Sequence, residues 1–236
     1  MTEREADTTA ELPASPPLVV AIDGPSGVGK STLGKALARR LGHLYIDSGA
    51  VYRAVGRKAL DAGAPLEDLD RIAKLARDSA IRLEGDPDHL RVFLDDRDVT
   101  AEIRLPDASS ASSIVAANPG VREAVVDKLR QMSRSGGVVM DGRDIGTKVF
   151  PEAQVKLFLD ASLEASAQRR WREERLRGRE ATLEDVMTEI EERDRRDRER
   201  QATPLVKADD AIFIDTTNMS ADQLLDHVLE IIKARS

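Results

Sequence analysis

Eight consecutive residues carry the strongest chemical signal in the chain. Gly24-Pro25-Ser26-Gly27-Val28-Gly29-Lys30-Ser31 sets a lysine and a hydroxyl behind two glycines separated by four residues. Glycines let successive backbone N–H groups turn inward around phosphate oxygens. A helix that starts where the loop ends points its positive dipole end at the same anion. In that arrangement Lys30 reaches the β- and γ-phosphates of a nucleoside triphosphate and Ser31 ligates Mg²⁺. The candidate donor-binding set is therefore Gly24 to Ser31 together with Thr32. Ser31 is the candidate metal ligand, with water filling most of the Mg²⁺ shell. Chemistry beyond triphosphate binding needs other residues.

Arginine supplies the second signal. Of the 36 basic residues, 27 are Arg, and Arg forks carboxylates and phosphates in a way that Lys does not. Arg193, Asp197 and Arg200 recur at helical spacing and share one face. Arg169 and Arg172 lie one turn apart. Between 168 and 200 there are 11 Arg and 11 Asp or Glu, so the segment is locally neutral and no polybasic tail. One reading is a solvated, salt-bridged helical hairpin. The other is an arginine-lined lid over two phosphate groups, where the task is positioning and charge neutralisation. No Asn-Lys dipeptide occurs, so the guanine-reading Asn-Lys-x-Asp of a switch GTPase is absent. With no obvious general base and many arginines, the pattern favours a phosphate acceptor over a hydroxyl acceptor.

The elements that must hold these residues alternate. Leu18–Ile22, Leu44–Ile46, Gly137–Met140, Val155–Leu159 and Ala211–Ile214 are short apolar runs, each followed by acidic or small polar residues. They read as buried parallel strands whose carboxyl ends converge on one ligand edge. Helical patterns intervene at Lys30–Leu41, Ala50–Ala62, Val121–Arg134, Leu163–Arg177, Leu183–Arg200 and Ala221–Ala234. The alternation predicts an α/β doubly wound domain. Leu66–Ile103 breaks the rhythm. A helix candidate (Leu69–Ser79) and two strand candidates (Ile81–Glu84 and Leu90–Leu94), joined by Gly85-Asp86-Pro87-Asp88, predict a small inserted subdomain. Met1–Pro17 reads as a disordered tail.

Composition bounds the rest. The chain has 236 residues, a formal net charge of −7 and no cysteine, which excludes disulfides, thiolate nucleophiles and Cys-based metal sites. His43, His89 and His227 form no metal-ligand spacing. Acidity argues against nucleic-acid binding. No run nears the ~20 apolar residues of a membrane span, and no signal peptide is evident. The expectation is a cytoplasmic monomer.

Four motifs in order resemble the bacterial cytidylate (CMP) kinases. They are Ile22-Asp23-Gly24-Pro25-Ser26-Gly27, Asp47-Ser48-Gly49-Ala50-Val51-Tyr52-Arg53, Asp141-Gly142-Arg143-Asp144-Ile145-Gly146-Thr147-Lys148-Val149-Phe150-Pro151, and Glu192-Arg193-Asp194-Arg195-Arg196-Asp197-Arg198 with Pro204-Leu205. The resemblance runs from about Leu18 to the C-terminus. It implies a P-loop NTPase fold: one kinase domain over 18–236, its core 18–65 and 104–236, with a nucleoside-monophosphate-binding α+β insert at about 66–103 and a lid at about 168–200. It implies transfer of the ATP γ-phosphate to CMP or dCMP, with Mg²⁺. It implies that Arg53, Arg143 and Arg200 hold the acceptor phosphate, that Ser113, Arg122 and Asp144 read the cytosine, that Arg193 and Asp197 hold the sugar, and that Ser48, Gly49 and Tyr52 line the same pocket. Lys30, Arg143, Arg169 and Arg172 are then the candidates for charge stabilisation during transfer, and the Pro204–Asp209 loop is a candidate adenine clamp.

Some of these positions have plainer readings from the residues alone. Ser48 stands where it could cap the following helix, Tyr52 could be packing, and Arg122, just after Pro119-Gly120, reads as solvent-exposed. Replacing Lys30 by Met is expected to lower turnover by orders of magnitude. Near-normal steady-state turnover would overturn the phosphate-loop assignment.

Overall fold

The computed structural model describes residues 18–134, 136–176 and 178–235. The expected tail over Met1–Pro17 lies outside them. Five strands form one sheet: β1 (Val19–Asp23), β2 (Leu44–Asp47), β6 (Val138–Gly142), β7 (Val155–Asp160) and β8 (Ile212–Asp215). Their order is β2-β6-β1-β7-β8, and every pair is parallel. Five apolar runs thus become one buried sheet, as continuous hydrophobicity without alternation requires. The register sets Asp47 beside Asp141, Asp23 beside Gly142 and Asp160 beside Asp215. The carboxylates gather at one edge.

Helices cover both faces. On one side α1 (Lys30–Leu41) and α8 (Ala221–Lys233) enclose Val20, Ile22, Leu37, Leu157, Leu159 and Val228. On the other, α2 (Ser48–Asp61), α3 (Leu69–Asp78) and α5 (Pro119–Met132) share a cluster with Ala21, Ile46, Val138 and Met140. Helix α5 starts before its apolar periodicity does. The Asn118 side chain accepts from the N–H groups of Gly120 and Val121, and Pro119 occupies the first turn, where its missing N–H costs nothing. Helix α2 likewise begins at Ser48 because Asp47 is its cap, accepting from Ala50 N–H. Ser48 is therefore not the cap.

The segment 66–103 contains α3 and a three-stranded antiparallel sheet of β3 (Ile81–Glu84), β4 (Arg91–Leu94) and β5 (Arg97–Asp98). Its apolar residues Ile72, Ala76, Ile81, Val92, Leu94 and Val99 pack into the same cluster as Ala54, Val55 and Val125. The insertion shares the main core.

Three short features escaped the sequence reading. β5 is two residues long. Helix α4 (Pro106–Val115) is rich in serine, a modest helix former, and stands because it packs against α2. Gly56 makes that approach possible, since a Cβ there would lie 2.9 Å from Ser112 N. A π-helical turn, Ile145–Val149, follows β6. Helices α6 (Leu163–Leu176) and α7 (Leu183–Glu199) form an antiparallel hairpin with its own small cluster around Ala167, Val186 and Ile190. Trp171 packs there and donates from Nε1 to the Ala181 carbonyl at 2.9 Å. Phe158 stacks on Phe213 at 6.5 Å.

Gly24 joins β1 to the phosphate-loop segment at φ +145°, and a Cβ there would lie 2.1 Å from the Leu159 carbonyl oxygen. Gly24→Ala is expected to cost about 2–4 kcal/mol through overpacking and backbone strain. An unchanged urea midpoint would contradict this close approach.

Candidate active site

The segment from Gly24 to Lys30 leaves β1 and feeds directly into α1, so the loop sits at the carboxyl edge of the central strand. Lys30 is buried, and its Nζ donates to the Pro25 carbonyl. Burial, and then the neighbouring Arg143 guanidinium, push Lys30 down to about 7. Ser31 donates to one carboxylate oxygen of Asp141 at 3.0 Å, and the buried Tyr45 hydroxyl donates to the other at 2.6 Å. Burial and the nearby Asp47 carboxylate push Asp141 up to about 6. The sequence reading singled out Ser31 but not this Asp141–Tyr45 support. Its one available signal was an acid ending an apolar strand. Among the described residues no cluster of three or more His, Asp or Glu is placed to hold a metal alone. A hydroxyl and a carboxylate at the loop nevertheless suit Mg²⁺, which takes few protein oxygens and completes its shell with water and phosphate.

The loop is braced from the hairpin side. Ser26 N–H donates to both carboxylate oxygens of Asp194 on α7, at 2.9 and 3.2 Å. Arg143 donates from one guanidinium nitrogen to Ser26 Oγ at 2.9 Å and from Nε to Asp197 at 2.8 Å. It therefore spans the gap between the phosphate loop and α7. Burial followed by Arg143 repulsion lowers Arg193 to about 10. Burial works to raise Asp197, but Arg143, Arg193 and Arg200 together hold it below the usual carboxylate range. Lys30 and Arg193 both register the positive field of Arg143, as expected of a place built to collect anionic charge.

A second cluster lies beyond it. Arg122 on α5 pairs with Asp144, both nearly inaccessible, donates to the Ala116 carbonyl at 3.0 Å and lies over the Tyr52 ring at 5.3 Å. Arg122 is thus buried, contrary to the expectation that it is solvent-exposed. Desolvated guanidinium demands a partner, and Asp144 supplies it from 22 residues away. Tyr52 is more than packing, since its face meets that cation. Asp47 pairs with Arg53 at 2.7 Å while capping α2, and Gly49 leaves room for that pair: a Cβ there would lie 3.0 Å from each partner. Ser48 donates to the Asp141 carbonyl at 2.7 Å. Arg200 donates from Nε to the Thr203 carbonyl at 2.7 Å and from Nη1 to Asp197 at 3.4 Å. It also feels the charges of Arg122 and Asp144. Ser113 Oγ, Arg122 Nε and Arg200 Nη2 are buried with no protein partner. Buried donors without a partner are uncommon in a folded core.

The hairpin arginines have different surroundings. Arg169 donates to Thr216 Oγ1 at 3.1 Å and to the Thr216, Thr217 and Met219 carbonyls, clasping the loop after β8. Arg172 is exposed on another face of α6. Arg170, adjacent to Arg169, pairs through Nε with Glu174 at 2.8 Å. A cavity of about 420 Å³ beside the loop is lined by Gly27 to Leu33, Arg169, Arg170, Glu173, Thr216, Met219, Ser220, Ala221 and Leu224. Pro204–Asp209 contribute nothing to its wall.

Residues 20–234 match the family described as cytidylate kinase. The chain belongs to the cytidylate kinase family. A cytidylate kinase of Desulfitobacterium hafniense is 48% identical over 214 residues, covering 91% of this chain and 92% of the relative. One of Caldanaerobacter subterraneus is 48% identical over 91% of this chain and 94% of its own. A third, of a Geobacillus, is 46% identical over 92% of this chain and 96% of its own. The cytidylate kinase match runs from β1 through α8 and takes in the phosphate loop, the Arg122–Asp144 pair and α7. Among the described residues no helix is long and apolar enough to cross a membrane.

Arg122→Met strands a buried Asp144 and is expected to cost about 3–5 kcal/mol of stability, most of it recovered in the Arg122→Met/Asp144→Leu double variant. Urea unfolding of the single and double variants checks this. A single variant as stable as the parent would refute the buried pair.

Proposed function

We propose that this chain transfers the γ-phosphoryl group of ATP to CMP and dCMP, giving ADP and CDP or dCDP. The observation that carries the reading is the buried Arg122–Asp144 pair, whose Arg122 Nε has no partner, together with the unpaired buried donors Ser113 Oγ and Arg200 Nη2. Cytosine offers an amino group at N4 and acceptors at N3 and O2. A carboxylate accepts from the first, and a hydroxyl and a guanidinium donate to the others. Uracil carries an oxygen where cytosine carries N4, so it faces Asp144 with no donor. A buried acceptor left unpaired costs about 1–3 kcal/mol.

Arg53, Arg143 and Arg200 receive the acceptor phosphate, while Arg193 and Asp197 hold its sugar. Ser48, Gly49 and Tyr52 shape the wall. The ATP phosphates lie in the Gly24–Thr32 loop, and its adenosine extends into the cavity bounded by Arg169, Thr216 and Met219. Ser31 and Asp141 hold Mg²⁺, which when bound neutralises phosphate charge. An acceptor phosphate oxygen forms the new bond to the γ-phosphorus as the bond to the β-phosphate oxygen breaks. Lys30 and Arg143 spread the charge that develops, with the adjacent hairpin arginines Arg169 and Arg170 beside them. Closure of the α6–α7 hairpin keeps water from taking the acceptor's place.

Release of ADP from ATP and Mg²⁺ is to be measured with CMP, dCMP, UMP, AMP, GMP and shikimate. The expected result is rapid turnover with the cytidine nucleotides, with kcat/KM for UMP lower by roughly 10- to 100-fold. A preference for any other acceptor would overturn the roles of Ser113, Arg122 and Asp144.

A further inference from the structure

Asp23 ends β1, is buried, and lies close enough to Asp144 and to Lys30 to feel both charges. Its two carboxylate oxygens are both committed. One accepts from Ile145 N–H at 2.8 Å and the other from Gly146 N–H at 2.7 Å. These are the first two amides of the π-helical turn Ile145–Val149. The residue at the head of that turn is Asp144, at φ −146° and ψ 31°, and its own side chain caps nothing because it is given to Arg122. The amides at the start of a helical turn have no partner within it. Here Asp23 is that partner, reached from a strand 122 residues earlier.

We propose that Asp23 is a positioning residue for acceptor recognition: by holding the Ile145 and Gly146 amides it fixes where Asp144, and Arg122 through it, present themselves to the nucleobase. The inference rests on the reading of Asp144 as the group that faces the base. Three features carry it. The next residue after Asp23 is Gly24, so a single short stretch of backbone ties the donor loop to the acceptor-reading turn. The turn is also confined on its other side, since a Cβ on Gly146 would lie 3.2 Å from Lys156 Cδ as well as 3.4 Å from Asp23 Oδ2. Finally, the choice of a carboxylate is specific. Two N–H groups need two acceptors, and an asparagine would offer one acceptor and set an amino group against the other amide. Keeping a carboxylate there is costly: burial raises Asp23 to about 6 despite both amide bonds, with Asp144 adding to the rise.

Asp23→Asn keeps the side-chain volume and removes one of the two bonds. It is to be compared with the parent by steady-state kinetics in CMP, UMP and ATP, by calorimetric ATP binding and by urea unfolding. The expected result is a KM for CMP raised about tenfold and a CMP-to-UMP preference lowered by a similar factor, with the ATP dissociation constant changed less than about twofold. Gly146→Ala crowds the same turn against Lys156 and Asp23 while leaving the Asp23 side chain in place, and is expected to show the same pattern. It carries the test if the Asn variant does not fold. Acceptor KM and preference unchanged in the folded variants, or ATP affinity falling in step with CMP affinity, would overturn the proposal. Should the parent prefer another acceptor, the reading of Asp144 fails separately. The KM for that acceptor then still decides whether Asp23 positions the turn.

Discussion

Parallel pairing of β1 with β6 is the constraint on which the site depends. The phosphate loop leaves the end of one strand and the Gly142-Arg143-Asp144 segment leaves the end of the other, with Asp23 and Gly142 side by side. Parallel strands discharge their chains at the same edge, so the two loops emerge as neighbours with no further device. Adding β2 on the far side of β6 brings Asp47, and with it the start of α2, to the same place. Three segments distant in sequence are aligned by backbone hydrogen bonds alone. Side chains then need only short reaches to complete the chemistry.

Charge is the second organising quantity. Arg143, Arg193, Arg200, Arg122 and Lys30 would repel one another if gathered without relief; burial lowers Lys30 and Arg193 first, and Arg143 lowers both further. Asp141, Asp144, Asp194 and Asp197 are interleaved among them. Asp144 holds Arg122 in one orientation, and Asp197 does the same for Arg143 and Arg200. The effect is pre-organisation: guanidinium groups stand fixed before phosphate arrives, and the cost of ordering them is met during folding.

Much of this was legible in the residues. Continuous apolar runs announced the parallel sheet because strands buried on both faces need no alternation. The phosphate loop was legible because backbone geometry dictates its glycines. Other parts were not. Helix α4 hid behind serines because its stability comes from α2 and the space at Gly56, not from its own propensity. Arg122 read as a surface residue because nothing local marks a buried charge; its partner lies on another element. Arg169 and Arg172 matched the spacing of a helix face, yet periodicity cannot say which side of α6 meets the phosphate loop; Arg169 and Arg170 line the cavity there, and Arg172 is exposed. The supporting carboxylates Asp23 and Asp141 were inside recognised motifs, but their bonds to Gly146, Ile145, Ser31 and Tyr45 exist only in three dimensions.

The contact between Asp194 and the Ser26 amide changes how nucleotide affinity should be understood. That amide belongs to the loop that receives phosphate, and a carboxylate from α7 already answers it. A phosphate oxygen arriving there exchanges one anion for another, so the favourable free energy is a difference between two bonded states. The displaced carboxylate belongs to the hairpin. A phosphate bound at that amide would leave Asp194 of α7 without this partner.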